Sequence, residues 1–134
     1  MTQRASGSFT VRLTPMAPDP GVGDPSVGRL SIEKDFQGGL IAASKGQMLA
    51  LRTPIDGSAG YVALEVVRGT LEGRSGSFAL QHSGTMTRGA PQLVVTVVPD
   101  SGSEQLVGLV GAMKIVVEGG AHSYEFDFSL PDPS

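Results

Sequence analysis

AHSYEFDFSL, residues 121–130, is the longest segment of this chain that contains neither glycine nor proline. Apolar and polar side chains alternate along it, which places Tyr124, Phe126 and Phe128 on one face of an extended chain. A helix would scatter these three aromatic rings around its circumference. The segment is therefore predicted to be a β-strand with one buried face.

The rest of the chain is divided into short pieces by 19 glycines and 9 prolines among 134 residues. An average helix needs about 11–12 residues, so these pieces favour strands. The predicted strands are 7–14, 28–36, 39–50, 60–70, 74–86, 91–98, 110–118 and 121–130. The predicted turns are Gly38-Gly39, Asp56-Gly57-Ser58, Glu72-Gly73 and Glu118-Gly119-Gly120. We expect a loop over 15–27, and one helical turn within 100–109 capped by Ser103.

Eight strands joined by short turns predict a single all-β domain over residues 1–134, with an ordered core at about 7–130. We expect an eight-stranded antiparallel barrel with little or no helix, because closure removes exposed strand edges; a two-sheet sandwich is the alternative. The strand 93–98 is apolar on both faces. This pattern predicts a cover over its outer face, either the 15–27 loop or another subunit.

The composition excludes several classes of protein. The chain has no cysteine, which excludes disulfide scaffolds and thiolate sites. Its net charge is −3 and its few cationic residues are scattered, so neither nucleic acid nor an anionic membrane is an expected partner. Neither a secretory signal nor a membrane-spanning run of roughly 18 apolar residues is visible, so a cytoplasmic location is expected.

Four segments carry a family resemblance: 58–65, 73–86, 97–102 and 122–128. Together they resemble a bacterial family known only as a domain of unknown function, which is similar in fold to the allene oxide cyclase barrel. The resemblance implies an eight-stranded antiparallel barrel, often oligomeric, whose cavity takes an apolar small molecule. It supplies no catalytic residues, and the further likeness to dirigent proteins is an analogy of fold.

The central hairpin around Glu72-Gly73 can pair in two registers. If Leu64 lies opposite Leu80, the apolar residues of both strands share a face with His82, and Glu65 lies on the other face. A shift by one residue places Glu65 beside His82 instead. We prefer the first register because it separates apolar from polar residues better.

The face that lines the barrel decides which residues are functional. Either the apolar face is inside and Glu65 and Gln81 are outside, or the Tyr61–Glu65–Gln81 face lines a polar cavity. A buried Glu65 is expected to have a raised pKa and to act as an acid or base. His82 is either a core residue or a general base oriented by Asp127 or Glu65. The candidate catalytic residues are Glu65 and His82, and the candidate ligand-binding residues are Tyr61, Glu65, Gln81, His82, Met86 and Tyr124.

No cofactor or metal is expected, because His82 and His122 are far apart in sequence and His122 is predicted to be exposed. Nucleophile, phosphate-loop and dinucleotide motifs are absent. The sequence therefore predicts a barrel that binds a small apolar molecule and forms a homo-oligomer. The alternatives are a cyclase or isomerase with a shaped apolar cavity, and a non-catalytic structural or interaction protein.

Overall fold

The structure, a computed structural model, describes residues 2–131 and contains eight β-strands in these residues. The strands are β1 (Gln3–Met16), β2 (Gly28–Gly38), β3 (Leu40–Arg52), β4 (Ala59–Leu71), β5 (Arg74–Thr87), β6 (Ala90–Val97), β7 (Val110–Glu118) and β8 (Ala121–Ser129). A single 3₁₀ turn, Glu104–Leu106, precedes β7. The predicted strands are present, and β1 is the most extended relative to its predicted bounds.

Each strand pairs with the next in antiparallel fashion, and β1 pairs with β8 to close the barrel. The predicted eight-stranded antiparallel barrel is confirmed. We call the end at which β1 begins the lower end, and the end at which β1 finishes the upper end. The strand pairing is least extensive between β6 and β7, which within residues 2–131 share the single register pair Thr96 and Ala112.

The turn between β4 and β5 shows why the central hairpin bends where it does. Glu72 and Gly73 have φ angles of 46° and 84°, so both residues lie in the left-handed region. Two consecutive residues with positive φ form the two-residue turn whose twist matches that of the flanking strands. This turn brings β4 and β5 together along their whole length.

Large apolar side chains fill the lower end of the barrel. The rings of Phe78 and Phe126 stack with their centroids 5.8 Å apart, and Phe126 lies 5.3 Å from Phe128. Tyr124 completes this floor, because its hydroxyl donates to the carbonyl of Gln37 at 2.7 Å. The aromatic face predicted for residues 121–130 is therefore the inner face of the barrel.

The segment after β6 covers the lower edge of β5, because β6 ends at Val97. Side-chain oxygens of this segment accept hydrogen bonds from the backbone of β5. The bonds are Ser75 N to Gln105 Oε1 (2.8 Å), Ser77 N to Ser103 Oγ (3.0 Å) and Ala79 N to Ser101 Oγ (3.0 Å). Ser103 occupies the predicted cap position, but its side chain makes no cap hydrogen bond. The predicted capping role is wrong because the hydroxyl bonds β5 instead.

The prediction of a cover over strand 93–98 by the loop is also wrong. The loop over 17–27 lies beside the outer wall of β3 and β4, where it lines an apolar crevice of about 820 Å³ with Leu49, Val62 and Leu64. In β6, Val95 and Val97 point into the barrel and are buried, whereas Val94 points outward and is exposed. The inner face of β6 is therefore apolar because it lines the core, and Val94 on the outer face stays uncovered within the described residues.

Candidate functional site

The register of the central hairpin differs from the preferred prediction. Leu64 lies opposite Gln81 and Glu65 opposite Leu80, which is the alternative register shifted by one residue. Glu65 and His82 consequently share the inner face of the barrel, while Leu64 lies on the outer wall. The preferred register assumed that apolar residues of both strands would share one face. This assumption fails because the outward-facing residues of β4 are themselves apolar.

Three ionisable side chains meet in the middle of the barrel. Glu65, His82 and Lys34 have exposed fractions of 1%, 3% and 6%. Glu65 Oε2 accepts a hydrogen bond from Lys34 Nζ at 2.8 Å and lies 2.5 Å from His82 Nε2. We call these three residues the charge cluster. It lies above the aromatic floor and crosses the barrel from β2 to β4 and β5.

Lys34 is held in the cluster by aromatic rings as well as by Glu65. Its ammonium lies 5.1 Å from the centroid of Phe9 and 5.8 Å from that of Phe36, which is the geometry of a cation–π contact. Ser44 pairs directly with Lys34 across β2 and β3. Among the described residues, Ser44 Oγ and Glu65 Oε1 are buried without a hydrogen-bond partner. The cluster therefore retains one unused acceptor, Glu65 Oε1, and the unpaired hydroxyl of Ser44 lies beside the cluster.

The contact between Glu65 and His82 fixes which ring nitrogen carries the proton. An ionised carboxylate can only accept hydrogen bonds, so His82 Nε2 must donate to it. In the neutral ring that donates from Nε2, the other nitrogen, Nδ1, carries no hydrogen and can accept a hydrogen bond. Its neighbour is the hydroxyl of Tyr61 at 3.5 Å, which is long for an O–H···N hydrogen bond. In this tautomer Nδ1 presents its lone pair to Tyr61.

The expectation of a raised pKa for Glu65 is wrong. Burial alone would raise the pKa, but the hydrogen bond to His82 and the positive charge of Lys34 outweigh burial and lower the pKa to about 2. Glu65 is consequently a permanent carboxylate at neutral pH. Burial and the negative charge of Glu65 raise the pKa of Tyr61, which therefore remains an O–H donor.

Apolar side chains surround the upper end of the barrel above the charge cluster. Leu13, Met86 and Leu93 point inward and remain 47%, 42% and 40% exposed, so this end is open to solvent. We call it the mouth. Tyr61 lies between the mouth and His82, and its ring packs against Gly84, where a Cβ atom would overlap it. The absence of a side chain at Gly84 thus positions Tyr61.

The structure unites some of the predicted site residues and separates others. Tyr61, Glu65, His82 and Met86 all lie on the inner wall. Gln81 is exposed on the outer wall and is wrong as a lining residue, because neighbouring residues of a strand face opposite sides. Tyr124 points inward, but its hydroxyl is bound to backbone groups at the lower end.

Two further expectations concern Asp127 and His122. Asp127 cannot orient His82, because it lies on the outer wall and accepts a hydrogen bond from Arg4 at 2.7 Å. The orienting carboxylate is Glu65, the other predicted candidate. His122 was predicted to be exposed; it is half-buried because its ring packs 5.2 Å from that of Phe9.

Sequence reasoning missed Lys34. The signal was present, since Ile32, Lys34 and Phe36 alternate along β2 and an inward Ile32 and Phe36 require an inward Lys34.

No group of three or more His, Asp or Glu side chains that could hold a metal ion occurs among the described residues 2–131. Within that same range, no helix is long and apolar enough to cross a membrane.

Comparisons with known proteins agree on the family and do not supply an activity. No curated protein matches the chain. A crystal structure of a protein with unknown function from the DUF3224 family of Shewanella oneidensis MR-1 is 46% identical and superposes with a TM-score of 0.90, covering 99% of this chain and 100% of that one. The model of the family described as protein of unknown function (DUF3224) matches residues 5–128. The predicted resemblance to a family of unknown function is confirmed, and the chain belongs to the DUF3224 family.

Proposed function

We propose that the mouth of the barrel binds a small, largely apolar molecule whose polar group meets Tyr61 and His82. The observation that carries this proposal is the position of the charge cluster directly beneath an apolar opening. Ligand pockets are typically lined by apolar side chains around a few placed polar groups. The upper half of this barrel has that composition.

The charge cluster is difficult to explain by stability alone. Removing charged groups from water costs several kcal/mol per ion, and packed apolar residues of similar volume are often as stable or more so. The lower end of the same barrel is filled by aromatic residues such as Phe78 and Phe126. An apolar filling is therefore available to this fold, and retaining Lys34, Glu65 and His82 supports a functional role.

The polar group of the ligand is constrained by the atoms that it would meet. Tyr61 offers an O–H donor, and His82 offers the acceptor Nδ1. The 3.5 Å separation between these two atoms leaves their mutual hydrogen bond weak, so both can turn to a ligand. A ligand with an oxygen or N–H group at one end satisfies this pair, while its apolar body contacts Met86 and Leu93.

The test uses N-phenyl-1-naphthylamine, an apolar amine whose fluorescence rises in a dry environment. Leu93→Gln alters the mouth, and Val94→Gln is the matched control because Val94 is the adjacent residue on the outer wall. We expect saturable binding that Leu93→Gln weakens and Val94→Gln leaves unchanged. Equal effects of the two variants, or no saturable binding, would contradict the proposal. Native mass spectrometry of the purified protein additionally reports any retained small molecule.

The outer wall favours a second proposal, that copies of the chain associate through β4. Val62, Leu64 and Val66 are exposed at alternate positions of this strand, and Leu49 pairs with Val62 on the same surface. Contiguous exposed apolar surface of this kind marks association sites. Sedimentation velocity at micromolar concentration tests the proposal. Leu64→Glu should dissociate the oligomer and Val110→Glu, an exposed apolar residue of β7 away from β4, should not. A strictly monomeric parent protein would contradict the proposal.

A further inference from the structure

The three atoms Glu65 Oε2, His82 Nδ1 and Tyr61 Oη are arranged in series from the middle of the barrel to its mouth. We propose that this series catalyses proton transfer at a carbon atom beside the carbonyl group of an apolar ketone, either saturated or β,γ-unsaturated. This inference rests on the proposed function, since the substrate would occupy the same mouth. His82 Nδ1 is the base, Tyr61 stabilises the carbonyl oxygen, and Glu65 is a positioning residue.

Glu65 prepares His82 for this role in two ways. Its carboxylate holds the proton on Nε2, which leaves the lone pair of Nδ1 directed towards Tyr61. When Nδ1 takes up a proton, the same carboxylate stabilises the positive charge of the imidazolium. An imidazole held by a carboxylate is one arrangement that general-base catalysis uses.

The step balances without a cofactor or oxidant. The C–H bond beside the carbonyl breaks and its proton passes to His82 Nδ1. The electron pair forms a carbon–carbon double bond, and the carbonyl π electrons move to the oxygen, giving an enolate that accepts the hydrogen bond of the Tyr61 hydroxyl. Nδ1 then returns the proton, either to the same carbon atom or, in a β,γ-unsaturated ketone, to the γ carbon at the far end of the dienolate. The second outcome shifts a double bond, which is an isomerisation.

The charges of the cluster suit this step. Lys34 and Glu65 together are neutral before the reaction, and their ion pair is 2.8 Å long and buried. Proton transfer creates an imidazolium and an enolate, and these opposite charges attract each other beside the buried cluster. The apolar mouth, with Met86 and Leu93 around it, selects an uncharged carbonyl compound over a carboxylate.

The probe for this activity is 2-tetralone, an apolar ketone with an acidified C1–H between its carbonyl and aromatic ring. In D₂O, loss of the C1 proton signal in the NMR spectrum measures proton abstraction directly. We expect the protein to accelerate exchange at least about 100-fold over free imidazole at the same concentration, which is the lower range of general-base catalysis. Exchange no faster than with imidazole would overturn the inference.

Three variants locate the activity. His82→Gln should abolish the acceleration and Tyr61→Phe should reduce it about 10-fold or more, whereas His122→Gln, the matched control at the other histidine, should leave it unchanged. The double variant Glu65→Gln with Lys34→Met keeps the cluster free of net charge and tests positioning. A double variant that folds and exchanges at the parent rate would exclude Glu65 from the role assigned to it.

Two further measurements separate the possible failures. Saturation-transfer NMR reports binding of 2-tetralone: binding without exchange overturns the inference and leaves the proposed binding function intact, whereas absence of binding counts against both. Long-range ¹H–¹⁵N spectra of the parent protein report the proton position on His82 without any substitution. A proton found on Nδ1 rather than Nε2 would overturn the inference even if every variant failed to fold.

Discussion

Replacing Glu65 with glutamine is the sharpest test of the charge cluster. The substitution keeps the side-chain volume but removes the anion that lies 2.8 Å from Lys34 Nζ. Lys34, 6% exposed, then becomes a buried cation without a countercharge. Breaking a buried pair from one side costs about 3–5 kcal/mol. For a chain of 134 residues the unfolding entropy is about 0.28 kcal/mol/K, so the melting midpoint should fall by about 11–18 °C.

The double variant Glu65→Gln with Lys34→Met distinguishes charge from packing. Because it removes both charges together, we expect it to recover most of the lost stability, to within about 1–2 kcal/mol of the parent protein. Thermal unfolding followed by circular dichroism, together with Lys34→Met alone, completes a double-mutant cycle. The coupling energy from this cycle measures the interaction between the two side chains.

Two results would refute the reasoning. One is a single variant whose midpoint equals that of the parent, which would mean that Lys34 reaches water. The other is a double variant as unstable as the single one, which would mean that shape and not charge dominates. Asp127→Asn is the control, because its pair with Arg4 is exposed and its loss should leave the midpoint unchanged.

Three further predictions concern acid, a glycine and the edge of β5. The pKa of Glu65 falls from 4.5 to about 2 on folding, so its carboxylate contributes about 3 kcal/mol to stability above pH 4.5, and this contribution should be lost as the pH falls towards 2. Urea titrations at each pH should show a smaller loss of stability in acid for the double variant Glu65→Gln with Lys34→Met than for the parent protein. An equal loss in both proteins would exclude Glu65 as its source. Gly84→Ala should lower the free energy of unfolding by about 1–3 kcal/mol because the new methyl group overlaps the Tyr61 ring. Combining it with Tyr61→Leu should reduce that loss in the same urea assay. An unreduced loss would mean that the strain lies in the backbone at Gly84 and not in the contact with Tyr61. Ser103→Ala should cost about 1 kcal/mol and speed hydrogen exchange at the Ser77 amide, whereas unchanged exchange would show that water replaces the hydroxyl.

The sequence carried enough information for the barrel but not for the pairing at its centre. Alternation over 121–130 and the glycine turns each specify local geometry, so strands and turns followed directly. The register between β4 and β5 depends on which face of each strand points into the closed barrel. A closed barrel can leave Val62, Leu64 and Val66 outside, and no local pattern reveals that choice.

The candidate site was predictable in part for the same reason. Glu65 and His82 were identified individually, and the alternative register placed them together. The direction of the Glu65 pKa was missed because it depends on the hydrogen bond to His82 together with the charge of Lys34, which is 31 residues away in sequence and approaches only when β2 curls around the barrel. Electrostatic environment is a property of the assembled wall, and residues such as Gln81 and Asp127 can be excluded only once inner and outer faces are known.

The side chains of Ser101, Ser103 and Gln105 accept hydrogen bonds from the edge of β5, and this cover affects whether the protein associates at high concentration. An uncovered strand edge can recruit a strand from another molecule and begin an aggregate. Here the edge is covered by side chains and by backbone bonds from Val98 and Ser103 rather than by a full strand, and the buried Leu106 anchors the covering segment in the core. Local opening of 98–107 would expose Arg74–Ala79 but would also withdraw Leu106 from the core, so the core itself holds the cover in place and protects solubility.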